Sequence, residues 1–332
     1  YKYFFMQKYI ANIIKFFIVG TLFVPLVLIP ASFIFPFIVP KILLFRSLVL
    51  CMLAGYLILF FSYKDMYKPR FSFLGWTVFL FFISMSISTF LGVDWYRSFW
   101  DNHERMLGLF TLFHFVLYFF IASTVVKEWR DWQWLFRIFL FAGGIVMYIG
   151  VWQKFVNVDA LLNRGGTRVS ATLGNAIYYS GYGLFLFFAG LLLFFKEKHI
   201  AWKVYAAFGG ILGFMGVFLG GTRGTFIGLV AGLGVMLLSY SILLKGHKQA
   251  KKVLTSIIVI GLVLVTTLFM FRSTTFVRGI PALGRLMNTN IVTTGTGQTR
   301  LMAWSIAVDA WQERPVFGWG PNNYSYAFNK YY

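Results

Sequence analysis

Nine apolar runs, each close to the thickness of a bilayer, dominate this 332-residue chain at approximately 16–35, 47–63, 71–93, 106–126, 138–153, 173–195, 204–221, 225–244 and 253–271. A hydrocarbon core about 30 Å thick takes roughly 20 helical residues, and a helix satisfies its own backbone hydrogen bonds where no water can. Hydrophobic residues make up 59% of the chain and charged residues 12%. That is about half the charged share of a soluble domain, too little polar surface to coat a soluble fold of this size. The same numbers exclude a disordered or fibrous chain. The expected fold class is therefore all-α, a polytopic helical membrane protein with about nine transmembrane helices. Pro25, Pro30, Pro36 and Pro40 punctuate the first run and its exit, where proline kinks or ends a helix.

The basic residues orient this bundle. One alternating set of connections, from Lys2, Lys8 and Lys15 to Lys245, Lys248, Lys251 and Lys252, holds 16 Lys and Arg in about 49 residues. The opposite short loops, at 36–46, 94–105, 154–168 and 222–224, hold 8 in about 41. The positive-inside rule places the richer set, and with it the N-terminus, in the cytoplasm. Residues 1–271 then form the bundle and 272–332 an extracytoplasmic loop. Of the net charge of +20, the inner set accounts for +12 and orients the bundle; the outer +8 is not explained by topology. Within the outer loop Leu301, Trp304, Val308 and Trp311 recur at helical spacing, with Asp309, Gln312 and Glu313 on another side and Pro315 at the end. An amphipathic helix near 299–314 is expected, lying against the membrane or capping the bundle. A turn-rich Gly318-Trp-Gly-Pro-Asn-Asn323 follows it.

Several chemistries lack their residues. Cys51 is the only cysteine, so neither a disulfide framework nor a cysteine-based metal site is available. There is no phosphate-cradling loop of Gly, Lys and Ser/Thr, no His-Glu-x-x-His zinc helix and no paired Asp-x-Asp. No metal and no cofactor is expected. The cytoplasmic loops are too short for a nucleotide-binding domain, which directs attention to a lipid-borne substrate met from the outer face.

The outer loops carry arginines set among small residues. Arg168 lies in Thr167-Arg-Val-Ser-Ala-Thr-Leu-Gly-Asn175, and Arg223 in a turn of about three residues between two spans, Gly220-Gly-Thr-Arg-Gly-Thr225. Arg300 opens the outer helix, and Arg105 lies in His103-Glu-Arg-Met-Leu-Gly108. A guanidinium is a planar fork matched to phosphate oxygens, and the N-terminus of a helix favours an anion. The four therefore form a candidate outer-leaflet pocket for a phosphate or pyrophosphate. The plainer reading of any one is an arginine snorkelling to headgroups, or for Arg105 pairing with Glu104 and Asp101. Asp94 reads as a helix-end carboxylate, His103 and His114 as structural, and the glycines at 209–220 and 228–234 as close helix packing.

Four stretches together resemble the O-antigen ligase / O-antigen polymerase superfamily of bacterial membrane glycosyltransferases. They are Arg168-Val-Ser-Ala-Thr-Leu-Gly-Asn175, Gly221-Thr-Arg-Gly-Thr225, Thr299-Arg-Leu-Met-Ala-Trp304 and Arg314-Pro-Val-Phe-Gly-Trp-Gly-Pro-Asn-Asn323. The resemblance covers roughly 90–332 and implies a GT-C-like helical fold of about a dozen spans in the bacterial cytoplasmic membrane. It implies metal-independent transfer of a glycan from undecaprenyl pyrophosphate to a glycan or lipid acceptor, with no nucleic-acid partner. It implies that Arg168, Arg223 and Arg300 hold the donor pyrophosphate. The family's outer-loop histidine lies beyond the Gly-x-Gly-Pro stretch, and no histidine follows His247 here. With Tyr1 in place of Met, this suggests a fragment whose catalytic histidine lies beyond Tyr332. The alternative classes are a flippase or transporter of lipid-linked glycan and a non-enzymatic membrane scaffold.

Overall fold

A computed structural model describes residues 2–29, 35–69, 71–162, 168–243, scattered positions between 249 and 275, and 295–332. Among these residues the fold is entirely helical. The helices are α1 (Lys2–Phe23), α2 (Val39–Ser62), α3 (Lys64–Tyr67), α4 (Phe73–Leu91), α5 (Trp95–Trp100) and α6 (Leu109–Val125). There follow α7 (Trp129–Phe155), α8 (Ala176–Lys196), α9 (Ile200–Gly220), α10 (Arg223–Leu243), α11 (Gly295–Glu313) and α12 (Tyr324–Tyr331). Among the described residues seven helical stretches are long and apolar enough to cross a membrane, and α6 is a shorter apolar helix of 17 residues. The protein is a polytopic helical membrane protein. The ninth run, 253–271, falls largely outside the described residues.

The first run is displaced from its expected place. The span is Met6–Leu26 rather than 16–35, and α2 begins at Val39 rather than 47. The prolines set both limits. Pro25 sits at the start of a short 3-10 turn, Val24–Leu26, that closes the first span, and Pro40 occupies the opening turn of α2, where its missing N–H costs nothing. Lys15 consequently lies inside α1, and Lys41 and Arg46 lie inside α2.

The chain divides into two compact units, residues 1–138 with 291–332, and residues 139–290. In the first, α1, α2 and α6 pack around Ile14, Ile18, Met52, Leu59 and Ile121, all almost completely buried. At one end Lys15 pairs with Asp131 at 2.7 Å, Lys127 Nζ donates to the carbonyl of Met66, and Gln7 donates to Tyr67. At the other end Arg46 donates to the carbonyl of Met106 at 3.0 Å. These contacts group 36–46 with 94–108, and the N-terminal helix with 63–68 and 127–131.

In the second unit α8 and α9 approach at backbone distance. A Cβ added at Gly190 would lie 2.7 Å from the Cα of Gly210, and one at Gly213 would lie 2.6 Å from the carbonyl of Gly183. Small residues allow this because lipid offers no hydrophobic drive between helices, leaving close van der Waals contact to join them. The glycines of 209–220 thus pack as their pattern suggests. Those of 228–234 do so in part: Gly232 meets the Phe188 ring, whereas Gly234 faces open space.

Candidate functional site

The turn between α9 and α10 is built from the glycines outward. Gly220 is small because a Cβ there would lie 2.7 Å from that of Ser180 and 2.9 Å from the carbonyl of Ala176. Gly221 closes α9 in the left-handed conformation, φ +56°, and Arg223 opens α10. Against this turn lies the second arginine segment. Arg168 Nε donates to the carbonyl of Gly220 at 3.0 Å, and its Nη2 donates to Thr222 Oγ1 at 2.9 Å. The amide of Val169 donates to the carbonyl of Leu219. Val169 and Ala171 are fully buried, and the Ala171 amide donates to the buried Gln153 side chain at 3.0 Å. Gly174 is left-handed, φ +72°, and Asn175 then caps α8 by accepting from the amide of Ile177. A segment about 50 residues away in sequence thus sets the Arg168 guanidinium against the short turn from which Arg223 opens α10, a helix N-terminus where phosphate-type anions are favoured.

The other two candidates belong to the first unit. Arg105 is exposed, and Asp101 does not pair with it: the Asp101 carboxylate accepts from the amide of Leu107, while Asn102 accepts from the amide of Arg105. Arg300 is exposed on the second turn of α11. His114 is buried and bonds the carbonyl of Phe110 one turn back at 2.7 Å; His103 is exposed. Among the described residues no three His, Cys, Asp or Glu side chains converge as metal ligands would.

Two structural features around residues 94–108 and 317–326 are not marked by any sequence pattern. Arg46 is buried in α2, donates to Met106 and Thr111, and lies over the Phe110 ring at 4.9 Å. It thereby holds the carbonyl of Met106, whose φ of +50° is costly for a residue with a Cβ, and fixes the loop that carries Arg105. Assigning 36–46 to a loop hid this arginine. The other feature is a clasp between residues 88–98 and 317–326. Ser88 donates to the carbonyl of Phe317, Val93 to that of Trp319 and Ser98 to that of Pro321. Asn323, fully buried, donates to the carbonyls of Asp94 and Trp319 and to Ser98. Gly92 and Gly320 face each other at backbone distance, and Gly320 takes φ +92°. The Gly318–Asn323 stretch is therefore a docking element. Asp94 caps α5 through the amide of Arg97 and accepts from the Tyr326 hydroxyl; these bonds hold its carboxyl below the usual aspartate range.

The turn at Arg223, Arg300 and the 317–326 segment of the clasp fall within residues 208–332, which match the family model described as O-antigen ligase. The match supports membership of the O-antigen ligase family, and with it membrane glycosyl transfer of the ligase or polymerase type in general. Arg168 and Arg105 lie outside the matched stretch. No curated protein and no solved structure matches the chain significantly.

Proposed function

We propose that the protein transfers a glycan from an undecaprenyl-pyrophosphate donor to an acceptor hydroxyl at the outer face of the bacterial cytoplasmic membrane, without a metal ion. In this reading 1–271 is the membrane bundle and 272–332 is extracytoplasmic. The observation that carries it is the arginine turn. Arg168 is hydrogen-bonded to Gly220 and Thr222, the residues flanking Gly221 and leading into Arg223, inside a membrane protein of the O-antigen ligase family.

The acceptor oxygen attacks the anomeric carbon as the bond to the pyrophosphate oxygen breaks, and the acceptor proton leaves to a base. Negative charge grows on the departing pyrophosphate. Guanidinium groups fixed by a hydrogen-bonded turn stabilise that charge without reorganising, which is the most effective form of electrostatic assistance. Arg223 and Arg168 act from the turn; Arg300 and Arg105, in the first unit, are proposed as phosphate-binding arginines on the sequence pattern alone. The base is assigned to none of residues 1–332.

Arg223→Ala in the full-length protein should lower glycan transfer from a purified lipid-linked donor about 100-fold, the usual cost of one fixed charge-stabilising group. Arg223→Lys should recover only part, because a point charge replaces a fork. Transfer undiminished in Arg223→Ala, at equal protein level in the membrane, would sink the proposal.

A further inference from the structure

Helix α11 has three sides, and the one that packs within the chain is not the one its apolar pattern marks. Ile306 and Ala310 are buried against α12 and Trp319, whose indole Nε1 donates to the carbonyl of Ala310 at 2.7 Å. Tyr324 donates to the carbonyl of Ala303 on the same side. Ser305, Asp309 and Gln312 form an exposed polar side. The third side carries Leu301, Trp304, Val308 and Trp311, which remain 49%, 67%, 51% and 58% exposed.

We infer that this third side lies in the headgroup–acyl boundary of the bilayer leaflet reached by the C-terminal end of α4. The chain itself supplies the tether. Ser88, one turn inside the spanning helix α4, donates to the carbonyl of Phe317, and the amide of Val93 donates to Trp319. Phe317 is four residues beyond the end of α11, so the helix end lies within about 14 Å of a group at the membrane boundary, the reach of a fully extended segment of that length. Val316 and Phe317, 80% and 48% exposed, follow α11, and Phe90 and Leu91, 58% and 53% exposed, lie at the end of α4. A spanning helix meets lipid through such side chains, and the Ser88–Phe317 bond ties the segment after α11 to that helix end. The composition of the stripe fits that depth: tryptophan concentrates at the membrane–water boundary, and an interfacial helix pairs an apolar side with a polar one.

The placement gives Arg300 a level. Arg300, Trp304, Val308 and Trp311 follow one another at steps of four, four and three residues and share a stripe. With the tryptophans at the boundary, the guanidinium of Arg300 stands among lipid phosphates, the level of a lipid-borne pyrophosphate. That last step rests on the proposed function; the contact with lipid does not.

The test uses the full chain carrying Cys51→Ala, reconstituted into nanodiscs of phosphatidylethanolamine and phosphatidylglycerol without donor. Nitroxide labels are placed singly through Trp304→Cys, Val308→Cys and Asp309→Cys, and their collision rates with oxygen and with a water-soluble nickel chelate are compared. The oxygen-to-nickel ratio at 304 and 308 should exceed that at 309 severalfold. Equal nickel access at all three positions overturns the inference, since the stripe then faces water. Protection of 304 and 308 from both reagents also overturns it, since protein then covers them. If the ratios hold while Arg300→Ala leaves glycan transfer unchanged, the interfacial helix stands and the pyrophosphate assignment of Arg300 falls.

Discussion

The glycine-lined pair α8/α9 with its turn at Gly220–Arg223 and the clasp between 88–98 and 317–326 both fix a loop at the end of a spanning helix, by opposite means. In the pair, neighbouring helices come together at backbone distance, and polar side chains only decorate the joint. In the clasp, segments more than 220 residues apart are stitched by Ser88, Ser98, Asn323 and Tyr326. The first joint relies on the absence of side chains and the second on their presence. The pair should therefore fail by steric insertion and be indifferent to pH, whereas the clasp should fail by loss of single polar groups and by acid.

The largest effect is expected at the glycines. Gly190→Val places a branched side chain where even a Cβ would lie 2.7 Å from backbone, and overpacking of this kind costs about 1–3 kcal/mol or more. The thermal unfolding midpoint of the detergent-solubilised chain should fall clearly, and an unchanged midpoint would mean that the helices are not in backbone contact. Next comes Asn323→Ala, which removes a buried group serving Asp94, Trp319 and Ser98, at a cost of about 1–3 kcal/mol for partners left unpaired. Here the damage is local: limited proteolysis within 314–332 should accelerate while the main unfolding midpoint barely moves. Equal resistance in mutant and parent would contradict the clasp.

Arg168→Lys sharpens the other half of the comparison. It replaces a two-pronged bond to Gly220 and Thr222 by a single ammonium, worth about 1 kcal/mol in a turn that the glycines already hold. Stability should change little and glycan transfer much; a parallel loss of both would make Arg168 a structural latch alone.

The smallest effect is that of pH. Asp94, held below the usual aspartate value of 3.8 by the Arg97 amide and the Tyr326 hydroxyl, keeps its full contribution above that value and loses it as pH falls through its lower folded value. Glu313, held below the usual 4.5 by Lys330 and Tyr331, follows the same sign. Protease sensitivity of 317–332 should be flat between about pH 7 and 5 and rise only below about pH 4, where both carboxylates take up protons. A rise centred well above pH 5 would show that neither group holds the segment.

Much of this was legible in one dimension. The apolar runs, the glycine patterns and Arg223 in its short turn follow from local chemistry, since span length and small side chains act on their immediate surroundings. Arg168 and Arg223 could be named from sequence, but the bond from Arg168 to Thr222 joins residues more than 50 apart and depends on how α8 packs on α9. Arg46 was misplaced because its run is apolar and its partners, Met106 and Thr111, lie on other elements. The stripe of Leu301, Trp304, Val308 and Trp311 was visible as a pattern, yet the buried side of α11 proved to be that of Ile306 and Ala310. Hydrophobic periodicity reports that a surface avoids water; lipid and protein satisfy it equally well. The sequence alone determined that this chain is built of helices long and apolar enough to cross a membrane, while the bounds of the first two were set differently from the apolar runs. Only the tertiary structure decided which apolar sides meet protein, because that choice depends on polar partners brought together from more than 220 residues away.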